Sequence, residues 1–343
     1  MPLTPFTEYR DRSILVTGGA SFIGSHLCER LVAAGARVAV ADDLSSGRLG
    51  NLAACAGDVR FLRGDLRDAN FAATASRGAE IVFHLAAVHG GRGYIETHAD
   101  ECARNVDLDA TVFAAAIAAG CGRIVFASSA CVYPPRLQDA PDYRLREADA
   151  GPTGSADDAD GLYGRAKLAS ERRLLALHRA HRIDAIACRI FTAYGERENE
   201  SHAVPALIAK AAARLDPFPI WGDGRQTRNF TYVADTVHGL VAAGAKLHGF
   251  DAINVGTDRH HTVHELADEI FRAVGWRPGG FDHQLDRPVG VRHRAADNTG
   301  IRARLQWEPS VSLADGLART IRWYLKQHPA PPADLERRLV ERA

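Results

Sequence analysis

Along the first half of the chain, short apolar and β-branched runs alternate with stretches in which apolar positions recur every three or four residues. The strand-like runs are 13–17 (SILVT), 37–41, 59–63, 80–85 (EIVFHL), 123–128 (RIVFAS) and 185–189. Helical patterns cover 22–34, which Gly35 stops, and 106–119 and 162–181. Strands that alternate with helices are joined by right-handed crossovers and lie parallel, so the pattern predicts a doubly wound α/β sheet of the Rossmann type. Ligands of such sheets bind at the carboxyl ends of the strands.

Beyond residue 190 the pattern loosens into shorter elements broken by Pro205, Pro217, Pro219 and several glycines, up to a helix over 313–326. The division is an α/β domain over 1–189, a smaller C-terminal lobe over 190–328 with some segments returning to the first domain, and a peripheral tail over 329–343. Residues 138–161, rich in Asp, Gly and Ala, read as a solvated loop.

Charge narrows the range of partners. The 42 Lys and Arg balance 42 Asp and Glu, which argues against nucleic acid or a membrane surface and leaves a small ligand. No stretch approaches the roughly 18 apolar residues of a membrane span, and 1–12 lacks a signal-like apolar core, so the cytoplasm is the expected location. Cys28, Cys55, Cys102, Cys121, Cys131 and Cys188 are scattered without the pairing that zinc or a disulfide framework needs; no metal is expected.

The first strand runs into Thr17-Gly18-Gly19-Ala20-Ser21-Phe22-Ile23-Gly24 and then a helix. Glycines there let backbone approach a pyrophosphate, and the helix N-terminus favours its charge. Asp42 ends the second strand, 18 residues after Gly24, where it can accept from both ribose hydroxyls and repel the extra phosphate of NADP. The expected cofactor is NAD. Its candidate contacts are Gly18, Ser21, Phe22, Ile23, Gly24, Asp42, Asp43, Ser46, Asp65, Leu66, Leu85, Ala86 and Ala87. By itself Asp43 reads as a solvated neighbour, and Asp65 as facing the adenine or capping the next turn.

Tyr163 and Lys167 stand four apart on one helical face, so the ammonium is expected to lower the phenol's pKa and let it take a hydroxyl proton. Ser128 and Ser129 follow the fifth strand at the same sheet edge, where a hydroxyl can hold the substrate oxygen.

With TGGASFIG, DDLSSG (42–47), HLAA from His84, SSACVY from Ser128, YGRAK, WGDGRQTRNFTYVAD (221–235) and RPVGVRHRAADN (287–298), the chain resembles the extended short-chain dehydrogenase/reductases that act on nucleotide sugars. The resemblance covers nearly its whole length. It is greatest to the GDP-mannose 3,5-epimerases, through HGGRGYI (89–95), SACVYP (129–134) and GVR (290–292). It implies bound NAD and transient oxidation at sugar C4. Tyr163 would be the C4 base, Lys167 its partner and a ribose ligand, Ser129 the hydroxyl polarising the C4 oxygen, and Ser128 a supporting neighbour. Arg228 and Arg292 match positions gripping the diphosphate, with Lys210 a further phosphate contact. His89, Gly90, Gly91, Arg92, Thr192 and His202 complete the substrate set. A homodimer through the helices over 106–119 and 162–181 is also implied; the run Ala114-Ala115-Ala116 suits either that contact or internal packing.

A C4 ketone acidifies the protons on C3 and C5, so inversion there needs two acid/base groups. Cys131 matches one, or is a small buried apolar residue. The lysine that the 3,5-epimerases carry two residues before a proline is replaced by Ala203, with His202 adjacent as a substitute. Thr192 stands where Asn is expected. The Asp-Glu pair of 4,6-dehydratases is replaced by Ala130-Cys131, which disfavours dehydration. Inversion at C4 by hydride return needs no second base and is the preferred expectation, C3/C5 inversion the alternative. A non-catalytic NAD sensor and a net dehydrogenase stand behind both.

Overall fold

The structure, a computed structural model, describes residues 6–151, 155 and 158–329. The expected tail beyond 329 lies outside them. In chain order the α/β domain comprises β1 (Ser13–Thr17), α1 (Phe22–Ala33), β2 (Arg37–Asp42), β3 (Val59–Arg63), α2 (Ala69–Ser76), β4 (Ile81–His84), α3 (Arg92–Thr97), α4 (Ala99–Ala103), α5 (Asn105–Ala118), β5 (Arg123–Ser129), α6 (Gly161–His181) and β6 (Asp184–Ile190). There follow β7 (Ala193–Tyr194), α7 (Ala203–Ala212), β8 (Phe218–Trp221), β9 (Thr227–Arg228), β10 (Thr231–Tyr232), α8 (Val233–Lys246), β11 (Phe250–Val255), β12 (His261–Thr262), α9 (Val263–Val274), β13 (Phe281–Gln284), α10 (Thr299–Leu305) and α11 (Leu313–Gln327).

Seven strands form one parallel sheet in the order β11-β6-β5-β4-β1-β2-β3. The order reverses between β1 and β4, which opens a crevice at their carboxyl ends. The segments returning from the second half are α8, packed on α1, and β11.

Successive side chains of a strand face opposite ways, and both faces of this sheet are apolar. Ile14 and Val16 join Leu27, Leu31, Leu240 and Val241 on the α1/α8 side. Leu15, Val82 and Phe126 join Phe113, Ala116 and Leu174 under α2, α5 and α6. Truncating a core ring such as Phe113 costs about 3–5 kcal/mol. Ala115 and Ala116 are buried in this second layer, so internal packing accounts for two of the three small residues.

Of residues 138–161, 152–154 and 156–157 lie outside the described residues; the described ones are mostly exposed, as expected of a solvated loop, but are anchored at several buried points. Leu145, Ala150 and Ala159 bury with Tyr133 and Phe191 in a third apolar cluster, and Leu145 bridges to Ala296. Few apolar side chains suffice because both ends of the segment are pinned to the cleft wall, Gln138 at one end and Asp160 at the other, and both are buried.

Candidate active site

A cleft of about 860 Å³ opens between the sheet's carboxyl edge and the smaller lobe. Gly18, Ser21, Phe22, Ile23 and Gly24 form one end of it. Gly18 has φ +67°, and a Cβ on it would lie 2.8 Å from the Ala86 nitrogen; a Cβ on Gly24 would lie 2.2 Å from the Gly18 oxygen. The turn therefore tolerates no side chains at these two positions. Ser21 caps α1 with extended backbone but no side-chain hydrogen bond, which leaves the first-turn N–H groups to the cleft. That is a cradle for a pyrophosphate. Asp42 accepts the Ala20 N–H at 2.9 Å on Oδ2 and the Leu44 N–H at 2.8 Å on Oδ1. Burial pushes its pKa up, and those two amides oppose the rise. Each oxygen retains a lone pair for a ribose hydroxyl. The residues present thus fit a dinucleotide.

Ser46, Leu85 and Ala87 also line the cleft, and Ala86 packs beneath Gly18. Three further expected cofactor contacts follow the carboxyl ends of β2 and β3. Asp65 is clasped by the Arg67 guanidinium at 2.7–3.0 Å, which holds its carboxyl below the usual range. Leu66 is buried under the sheet. Asp43 is exposed and accepts from Ser45.

At the cleft floor, β5 delivers Ser128 and Ser129, and α6 delivers Tyr163 and Lys167. Ser129 Oγ accepts the Cys131 N–H at 3.1 Å and hydrogen-bonds the phenol of Tyr163. Lys167 Nζ lies 5.9 Å from the Tyr163 ring centroid and 4.5 Å from that of Phe126. The expected lowering of the phenol's pKa is not met. Burial pushes it well above its ordinary value, Cys131, Asp109 and Cys102 add to the rise, and the Ser129 bond pulls the other way. Ser128 turns behind the site and donates to Glu171 at 2.5 Å.

Cys131 receives a hydrogen bond from Arg294 at 3.5 Å, and Arg294 also donates to Asp160 at 2.8 Å. Arg92 reaches both oxygens of Asp160 at 3.0 Å. Arg228 spends its terminal nitrogens on the Thr227 and Val289 carbonyls. Its pKa falls to about 9, first through burial and then through Arg294 and Arg92. Three guanidinium groups thus flank one carboxylate on a cleft wall, an arrangement suited to an anion. Arg292 is not among them. The chain bends there after Gly290 (φ +67°), and its exposed side chain pairs with Asp223 at 3.2 Å. Arg294, in the same sequence motif, takes the cleft position.

His89, Gly90, Gly91, Arg92, Thr192, His202 and Lys210 all line the cleft. A Cβ on Gly91 would fall 2.0 Å from the Ser201 oxygen, so this glycine lets the 89–92 segment dock against the start of α7. His202 Nδ1 lies 3.0 Å from Glu198 Oε1, and its ring lies 5.9 Å from that of His89. Burial, then His202 and Lys167, bring His89 down to about 3, so that it stays neutral at ordinary pH. Lys210 donates to the Pro219 carbonyl at 3.0 Å, and burial and then Arg287 lower it to about 8. Sequence reasoning passed over Asp160, Glu198, Arg287 and Arg294, although Arg287 and Arg294 lie within the quoted 287–298 motif.

Residues 14–256 match the NAD dependent epimerase/dehydratase family. The chain is 32% identical over 319 residues to GDP-mannose 3,5-epimerase 1 of Oryza sativa, covering 92% of this chain and 82% of that protein. It is also 32% identical over 318 residues to UDP-glucose 4-epimerase of Mycolicibacterium smegmatis, with 90% and 97% covered. The solved structure of Thermotoga maritima UDP-glucose 4-epimerase with UDP-glucose is similar at a TM-score of 0.82 and 27% identity, covering 92% of this chain and 99% of that one.

Proposed function

The chain belongs to the NAD dependent epimerase/dehydratase family, and on that premise we propose that it inverts C4 of a nucleotide-diphosphate sugar through a transient C4 ketone, retaining NAD. The observation that carries this reading is the convergence of Ser129, Tyr163 and Lys167 on one cleft floor beside the glycine turn. NAD, which the glycine turn and Asp42 would hold, would supply reversible hydride transfer at C4. Tyr163 would accept the C4 hydroxyl proton and return it, and Ser129 would hold the oxygen. Lys167, its Nζ 5.9 Å from the phenol ring, would oppose with its charge the rise that burial imposes on Tyr163. Arg228 and Arg294, with Lys210, would neutralise the diphosphate. UDP and GDP sugars are the first substrates to try, because the relatives are named for them.

A second reading, inversion at C3 and C5, is favoured by Cys131 beside Arg294 and by the Glu198–His202 pair, two acid/base groups entering the cleft from different elements. The deciding experiment incubates the protein with a panel of nucleotide sugars in deuterated water and follows products by NMR and mass spectrometry. Inversion at C4 without deuterium supports the first reading. Deuterium at C3 or C5 supports the second. Unchanged sugars throughout would remove both.

We read the molecule further as a cytoplasmic homodimer. Val106 on α5 and Leu162 on α6 are exposed apolar side chains on the two helices expected to pair, and the six cysteines are unpaired, as a reducing compartment keeps them. Among the described residues no helix is long and apolar enough to cross a membrane.

A further inference from the structure

Behind the cleft floor lies a buried polar chain that the reaction outlined above does not use. Asp109 on α5 is fully buried. Its Oδ1 accepts from His84 Nε2 at 2.9 Å and its Oδ2 from Ser170 Oγ at 2.6 Å. Thr17 Oγ1 accepts the backbone N–H groups of Leu85 and Ala86 at 3.1 and 3.2 Å. The Thr17 hydroxyl also stands 2.6 Å from His84 Nδ1. The imidazole thus spans Thr17 and Asp109 inside the core.

Two cations are buried alongside. Arg189 grips Glu171 through two bonds of 2.7 and 3.0 Å, and that carboxylate also accepts from Ser128. Glu171 is thereby neutralised. Lys167, 1% exposed, has no such partner within its own helix. It stands three residues before Ser170 on the same face of α6, and Ser170 touches Asp109. Its Nζ rests over Phe126, whose ring lies 5.8 Å from that of His84. Asp109 is the carboxylate left to balance it.

We propose that Asp109 is the positioning residue that keeps Lys167 a charged ammonium beneath Tyr163. This rests on the roles given above to Tyr163 and Lys167. A buried ammonium without a counter-charge gives up its proton rather than remain charged. Burial does pull Lys167 down, and Asp109 and then Glu171 oppose it. Burial likewise acts to raise Asp109, but the Lys167 charge and the His84 bond override it and hold the carboxyl below its usual range. The other polar and titratable groups facing Lys167 are Tyr163 and Glu171 on α6, Ser128 at the end of β5, and His89 after β4.

The test is Asp109→Asn in the full-length, NAD-loaded protein, with Lys167→Met and the double variant beside it. In single-turnover oxidation of a nucleotide sugar, followed by the absorbance of reduced nicotinamide, the alkaline limb of the pH profile should move down by about one pH unit, a tenfold loss above it. Ser170→Ala removes a hydrogen bond but no charge and should leave that limb in place. In urea unfolding, the loss caused by Asp109→Asn should largely vanish in the Lys167→Met background. An unmoved limb together with an equal loss in both backgrounds would overturn the proposal and leave Asp109 a hydrogen-bond acceptor for His84. If Asp109→Asn alone fails to fold, recovery in the double variant supports the charge pair, and continued failure refutes it. Should wild type oxidise no nucleotide sugar, the functional reading falls while the unfolding cycle still decides the pairing.

Discussion

The Arg294 guanidinium donates to the Cys131 sulfur at 3.5 Å, on the wall of the cleft whose floor holds Tyr163. The sulfur faces the cleft in contact with a cation, where it can exchange a proton with a substrate as well as fill space. The two regiochemical readings therefore part at one substitution. With inversion at C4, Cys131→Ala should leave turnover within about tenfold of wild type. A loss of about a thousandfold, the scale of a missing acid/base group, would transfer the assignment to C3/C5 inversion. Deuterium content of the product, measured on the same samples, gives the answer independently of rate.

The phenol of Tyr163 is the group on which either reading depends. Tyr163→Phe should reduce turnover by about a thousandfold or more while NAD binding, measured by calorimetry, survives. Substantial residual activity would take the proton-transfer role away from Tyr163. Ser129→Ala should cost less, about a hundredfold, because it removes a hydrogen bond to the phenol and to the substrate oxygen but no proton acceptor.

Most of the fold was legible because the signals are local. The strand over 59–63 and the helix stopped by Gly35 follow from periodicity and one glycine, and observed ends differ from expected ones by a residue or so. The glycine turn was equally readable, since steric demands at Gly18 and Gly24 leave no other residue type. What failed depended on distant partners. Arg292 and Arg294 look alike in sequence, and only their partners in the folded chain tell them apart, Asp223 at the surface for one and Asp160 and Cys131 in the cleft for the other. Asp160 sat in a segment whose composition reads as solvated, yet two arginines far away in sequence bury it. The phenol of Tyr163 was expected to be lowered from helical spacing alone, which contains no information about burial.

Asp160 makes a strong stability prediction. Its side chain is 5% exposed and bridges Arg92 and Arg294. Removing one member of a buried charge cluster leaves the others uncompensated, at a cost of about 3–5 kcal/mol, so Asp160→Asn should lower the urea midpoint clearly. The carboxyl's pKa is held below its ordinary value: burial would raise it, and Arg294 and Arg92 more than reverse that. A depressed carboxylate contributes stability that is present above the unfolded value of about 3.9 and is lost as pH falls through the folded one. The gap between wild type and variant should therefore be widest near neutral pH and close in acid.

Lys210 carries the last prediction, on binding. Burial and the neighbouring Arg287 bring its pKa down to about 8, so the ammonium is present below that pH and lost above it. A diphosphate held partly by this charge should bind more weakly as pH rises through about 8. Calorimetric titration with UDP and GDP over this range should show the decline in wild type. Lys210→Met should bind more weakly at neutral pH and lose most of the decline. Arg228, a guanidinium that stays charged over this range, should leave a part of the binding that does not change with pH in both proteins. If Lys210→Met keeps the wild-type dependence, Lys210 serves only the Pro219 carbonyl, and the phosphate grip belongs to the arginines.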